Sequence, residues 1–150
     1  MKKSKEQLLA ACNAICKNTL METLEIEFID LTEDVLTARM PVTPRVHQPD
    51  GLLHGGASVA LAESIGSAAA IVFLGKENST IRGLEISANH IKSISDGFVY
   101  AKATALHRGK TTQLWQIRIE NEAGELISLV KLTTITFYKQ NNPGIYRHSK

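Results

Sequence analysis

The chain has 150 residues, 43% of them hydrophobic and 21% charged, which is the length and composition of one ordinary soluble domain able to bury a core. Its 17 basic and 15 acidic side chains leave a formal net charge of +2, which argues against a nucleic-acid binder but leaves room for a local patch that holds a phosphorylated ligand. Two cysteines, Cys12 and Cys16, are too few for a disulfide-built secreted domain, and with no further ligands at suitable spacing they read as reduced, buried thiols.

The first basic residues, Lys2, Lys3 and Lys5, followed by Leu8-Leu9-Ala10-Ala11-Cys12, mimic a lipoprotein signal. The apolar stretch is far shorter than the roughly 7–15 residues of a signal core, so the expectation is a cytoplasmic protein. Residues 4–18 read as a short helix, with Ser4 as cap and Leu8, Leu9, Cys12, Ile15 and Cys16 at helical spacing. Residues 24–29 and 35–42 read as two strands around a turn at 31–34. Pro44 and Pro49-Asp50-Gly51 then break regular structure.

The run from 55 to 75, GGASVALAESIGSAAAIVFLG, is apolar all round with Glu63 as its one charge. A helix of about 20 residues spans roughly 30 Å, enough for a membrane. A carboxylate near the bilayer centre costs a few kcal/mol, so a helix enclosed by protein is expected instead. After it come strands over 81–91, with Leu84, Ile86, Ala88 and His90 on one face, then 98–106, 113–120 and 126–137. Short turns between them, Asp96-Gly97 among these, argue for an antiparallel meander. The expected architecture is α+β, one domain over residues 1–138 in which a curved sheet is covered by one enclosed helix, with a loosely ordered tail over 139–150.

The chemistry gathers around QPDGLLHGG. Two glycines at a helix start leave backbone N–H groups bare, and these donors, helped by the helix dipole, suit a carbonyl oxygen that becomes anionic. Gln48 and His54 add polar groups near the same point. Glu63 and Ser67 share a helix face, but Glu63 lies roughly 12 Å along the helix from Gly55, too far to act at its own helix start. A second copy of the chain can supply them, which points to a site shared in a two-fold dimer. Plainer readings stand beside these: Glu63 in a structural ion pair, His54 as a cap or core residue, Ser67 as helix filler.

The segment LLHGGASVALAESIGSAA, with QPDGLLHGG, GLEISANHIKS and LWQIRI, resembles the hotdog-fold acyl-CoA thioesterases. The likeness runs from about Met21 to Phe137 and is to the bacterial branch that hydrolyses aromatic acyl thioesters, including 1,4-dihydroxy-2-naphthoyl-CoA in menaquinone synthesis, and that contains the enterobactin proofreading thioesterase. The resemblance implies a hotdog fold, a curved antiparallel sheet wrapped around one long helix, and thioester hydrolysis to free acid and coenzyme A. It implies that Gln48 and the Gly55 amide polarise the carbonyl and that His54 orients the thioester. Glu63 of the other subunit would act as nucleophile or general base, with Ser67 positioning substrate or water. Candidate substrate-binding residues are His90, Lys92 and Ser93 at a strand end, His107 and Arg108 at a turn, and Gly83. The implied assembly is a homodimer with shared active sites, paired into a homotetramer. No cofactor, metal, nucleic acid or membrane partner is expected. The alternative is a non-catalytic acyl-CoA-binding module of the same fold.

Overall fold

A computed structural model describes residues 2–139. The tail expected at 139–150 therefore lies, but for Lys139, outside the described residues. Helix α1 (Lys5–Ala14) begins where Ser4 and Gln7 form a reciprocal capping box, Gln7 N–H donating to Ser4 Oγ at 3.2 Å and Ser4 N–H to Gln7 Oε1 at 2.9 Å. It stops four residues short of the expected end, and the chain adds a single turn, α2 (Leu20–Thr23), before the sheet. Asn13 ties α1 to strand β1 (Glu27–Leu31): its amide donates to Phe28 O at 2.9 Å and accepts from Phe28 N–H at 2.8 Å. Cys12 and Cys16 are buried free thiols, each with its pKa raised by burial first of all.

Strands β2 (Val35–Pro41), β3 (Ser79–His90), β4 (Phe98–Arg108), β5 (Thr112–Glu120) and β6 (Leu126–Tyr138) complete a six-stranded antiparallel sheet in the order β1-β2-β4-β5-β6-β3. The concave face follows the two-residue alternation: Leu36, Ala38 and Met40; Val99, Ala101 and Ala103; Trp115, Ile117 and Ile119; Val130 and Leu132, all fully buried. Helix α3 (Gly55–Leu74) lies in this concavity and buries eight of its residues, Leu61, Ile65 and Ala69 among them. Small residues set the depth. A Cβ on Gly66 would stand 2.6 Å from Leu132 Cδ2, so only glycine lets the sheet close on the helix there. The helix is long and apolar enough to cross a membrane, yet it is the core helix of this fold.

Two expectations need correction. The strands after α3 are not a simple meander, because β3 pairs with β6 and β4 with β2, so β3 and β4 are not a hairpin. The chain between them, residues 91–97, crosses the end of the sheet. Leu84 does not share a face with Ile86, Ala88 and His90. It is the extra residue of a bulge between Gly83 and Glu85, which turns it outward and leaves it 61% exposed.

Candidate active site

Three segments converge on the first turn of α3. His54 is the N-cap, and its Nδ1 accepts from Gly56 N–H at 2.8 Å. A ring nitrogen that accepts carries no proton, so the neutral ring has its hydrogen on Nε2. The capping reading of His54 is thus the observed one. For Gly55 N–H, the neighbouring orphan donor, no acceptor lies within reach among the described residues.

The loop before the helix is a turn closed by Gly51 N–H to Gln48 O at 3.0 Å, with Gly51 at a φ of 77° that favours glycine. Asp50 N–H donates to Gln48 Oε1 at 2.6 Å, which commits the side-chain oxygen to the loop and leaves the Gln48 NH2 as the group free to donate. The crossing segment 91–97 docks beneath, Leu53 N–H donating to Ile94 O at 2.8 Å. That docking brings His90, Lys92 and Ser93 against Gln48, Gly55 and Ser58 around a cavity of about 250 Å3, with Leu53, Ile94 and Ile127 as apolar lining. His90 lies so close over the helix start that a Cβ on Gly55 would stand 2.7 Å from its Nε2. Lys92 is paired with Glu125.

Glu63 sits two turns further on, exposed, and against the edge strand: a Cβ on Gly83 would meet its Oε1 at 2.6 Å. Glu63 makes no ion pair among the described residues, so the structural ion pair is not what places it there. Ser67 follows one turn later, half-buried. His107 and Arg108 end β4 near the other end of the helix. The Arg108 guanidinium stands 5.6 Å over the Phe73 ring and 3.2 Å from Asp34, and lines a second cavity of about 290 Å3 with Lys76 and Lys110.

The candidates therefore form three groups. Gln48, His54, Gly55, His90, Lys92 and Ser93 meet at the helix start. Glu63 and Gly83 meet at the sheet edge, with Ser67 one helical turn beyond Glu63. His107 and Arg108 stand apart from both. The first group can hold a carbonyl oxygen between two kinds of N–H donor, but its own chain's carboxylate is roughly 12 Å away by helix rise. Sequence reading missed Ser58, Ile94 and Ile127 as cavity residues, and Ser128, which holds His90. Ser58 was findable, being one helical turn from Gly55; the others needed strand pairing. Among the described residues no group of three His, Cys, Asp or Glu side chains is gathered closely enough to hold a metal ion.

A family profile described as the thioesterase superfamily matches residues 50–128, from the turn before α3 into β6. The chain belongs to the thioesterase superfamily. It is 46% identical over 126 residues to a 1,4-dihydroxy-2-naphthoyl-CoA hydrolase of Escherichia coli, covering 84% of this chain and 92% of that one. It is 44% identical to a proofreading thioesterase of Cronobacter turicensis, over 84% of this chain and 91% of that one. The solved structure of a Haemophilus influenzae thioesterase superposes with a TM-score of 0.85 at 39% identity, over 95% of this chain and 97% of that one. The fold is thus the hotdog arrangement of this superfamily, as the resemblance implied. A Staphylococcus aureus thioesterase, 39% identical with a TM-score of 0.74 over 78% of this chain and 97% of that one, was solved with a glutamine replaced by alanine. The same S. aureus protein was also solved with a glutamate replaced by alanine. Those two positions lie fifteen residues apart, the separation of Gln48 and Glu63 here.

Proposed function

We propose that this thioesterase hydrolyses acyl-CoA thioesters at sites shared between two subunits, each combining the Gln48–Gly55 donors of one copy with Glu63 of the other. The observation that carries the reading is an exposed carboxylate without an ion-pair partner, set at the sheet edge roughly 12 Å from donors that need one. Strand β3 is that edge; it offers unpaired backbone groups to a second β3, and Leu84 and Ile71 beside it are 61% and 53% exposed. A cavity of about 250 Å3 in one chain is also smaller than the usual ligand site, as half of a shared site should be. The spacing of the replaced glutamine and glutamate in the S. aureus relative adds support for Gln48 and Glu63 as a functional pair.

In the proposed reaction the thioester oxygen lies against Gly55 N–H and the Gln48 NH2. Glu63 takes a proton from water as the water oxygen attacks the carbonyl carbon. The tetrahedral oxyanion is held by the same donors, the C–S bond breaks, and the thiolate leaves with the proton to give acid and coenzyme A. Attack by Glu63 itself, through a mixed anhydride that water then opens, reaches the same products. With its Nδ1 held by Gly56 N–H, His54 keeps its Nε2–H as a further donor to the ligand. His107, Arg108 and Lys92 are the proposed contacts for coenzyme A phosphates. The E. coli relative makes an aromatic acyl-CoA, and with it a step in menaquinone synthesis, the first substrate class to test. The assembly proposed is a homodimer, paired into a homotetramer, in the cytoplasm, where buried reduced thiols persist.

The test is thiol release from a panel of aromatic and fatty acyl-CoAs. Glu63→Ala should lower turnover on the order of 10²-fold or more with its fold and assembly intact. Label from oxygen-18 water found in Glu63 after single turnover would mark the anhydride route. A folded wild type that binds acyl-CoA and releases no thiol would replace this reading with a binding module.

A further inference from the structure

Ser128 is fully buried on β6, directly across the ladder from His90. Its hydroxyl has one proton to give, and it donates to Asn89 O at 3.1 Å. Toward His90 Nδ1, 3.0 Å away, Ser128 Oγ can then only accept. With the hydroxyl proton on Asn89 O, the hydrogen in the His90 contact comes from the imidazole, which puts it on Nδ1 and, in the neutral ring, leaves a lone pair on Nε2. That same Nε2 is the atom poised over Gly55. His54 is set the other way round, with its Nδ1 committed to Gly56 N–H and its proton on Nε2. The two histidines at the helix start therefore have opposite polarity.

We propose that Ser128 is a positioning residue that locks His90 as its Nδ1–H tautomer, so that the cavity is offered a hydrogen-bond acceptor at Nε2, which takes an N–H or O–H donor of the thioester ligand. An acceptor repels a carbonyl oxygen. The thioester oxygen therefore takes the Gly55 N–H and Gln48 NH2 donors and turns away from the His90 ring nitrogen, against which the ligand's own donor lies. This sorts the two ends of the ligand at the point where the reaction needs one orientation. The ligand part of the inference rests on the thioesterase reading above; the tautomer part does not.

The test begins with ring 15N-labelled wild-type protein, whose long-range proton–nitrogen spectra distinguish the two tautomers, His90 being assigned from its loss in His90→Gln. The expected result is a proton on Nδ1 in wild type and loss of that preference in Ser128→Ala, with Ser128→Thr restoring it. Kinetically, Ser128→Ala should raise KM about ten-fold, the size of one hydrogen bond, with a smaller change in kcat. Three probes separate the donor sources. If the donor is an acyl hydroxyl, wild type prefers 2-hydroxybenzoyl-CoA to benzoyl-CoA and Ser128→Ala loses that preference. If it is an amide N–H of the thiol arm, both CoA esters suffer alike and a benzoyl thioester of mercaptoethanol, which has no amide, is unaffected. A wild-type His90 protonated on Nε2 overturns the proposal, as does a Ser128→Ala variant with unchanged tautomer and KM. An inactive wild type with the Nδ1–H tautomer would sink the hydrolase reading and leave the tautomer lock standing.

Discussion

At Gly83 the missing side chain is occupied by a neighbour. The Glu63 carboxylate comes within 2.6 Å of where a Cβ would be, and Gly83 is on the edge strand where a second chain would add. Gly83→Ala should therefore displace Glu63 without opening the core, since Gly83 itself is exposed. The expected outcome is a fall in kcat of about ten-fold or more with the melting temperature nearly unchanged, measured by thiol release beside thermal unfolding. A large loss of stability with kcat intact would mean that the close approach serves packing. Gly55 obeys the same logic against His90, so the absent side chain at each of these two glycines leaves space for a candidate site residue.

Among the elements, α1 is held by a contact that imitates a strand. Asn13 supplies both a donor and an acceptor to Phe28 on the outer edge of β1, and so closes part of an edge that would otherwise be open. Asn13→Ala leaves both backbone groups without their partner and should cost about 1–3 kcal/mol in urea unfolding, with little change in KM. Across β4 and β5, Glu120 accepts from Lys102 at 2.7 Å and from Arg118 at 3.2 Å. The Lys102 hydrogen bond above all, with Arg118, holds the Glu120 carboxyl below the usual glutamate range. A folded pKa below the unfolded one adds stability at pH above the unfolded value, and that stability is lost as pH falls through the folded value. Glu120→Gln should thus be less stable than wild type at neutral pH, by about 1 kcal/mol, and the gap should close on acidification below the ordinary glutamate range. Parallel melts across that window measure it; a gap independent of pH would assign the loss to packing.

For the whole molecule the decisive question is whether Glu63 serves its own helix start or that of a second copy. Mixing Gln48→Ala with Glu63→Ala protein under conditions that exchange subunits answers it. If sites are shared, each mixed dimer contains one intact site, and thiol release should rise well above that of either variant alone. If each chain is self-sufficient, mixing restores nothing. The sheet order bears on this directly. Because β3 is carried past β6 to the edge, it sets Gly83, with Glu63 of α3 lying against it, on a strand with free backbone groups, while α1 guards part of the opposite edge.

Much of this was legible in the chain itself. The apolar run with one acid gave away an enclosed helix, because a helix that is hydrophobic all round must be covered. The alternation over 98–106 and 113–120 carried the inward faces of β4 and β5, Val99-Ala101-Ala103 and Trp115-Ile117-Ile119, because side chains there follow the backbone's period of two. QPDGLLHGG announced a helix start with bare donors, since glycine and the orphan N–H groups are local properties. What stayed hidden was non-local. The bulge that turns Leu84 outward arises from pairing with β6, not from the residues of β3. The seating of residues 91–97 under the 48–53 turn, which builds the cavity wall, depends on β3 and β4 parting to opposite places in the sheet. The bond from Ser128 to His90 joins residues far apart in sequence that only the ladder brings together. Sequence alone determined which residues are chemically able and where the local donors lie. Tertiary structure decided which of them face one another, because strand register and order are settled by packing across the whole sheet.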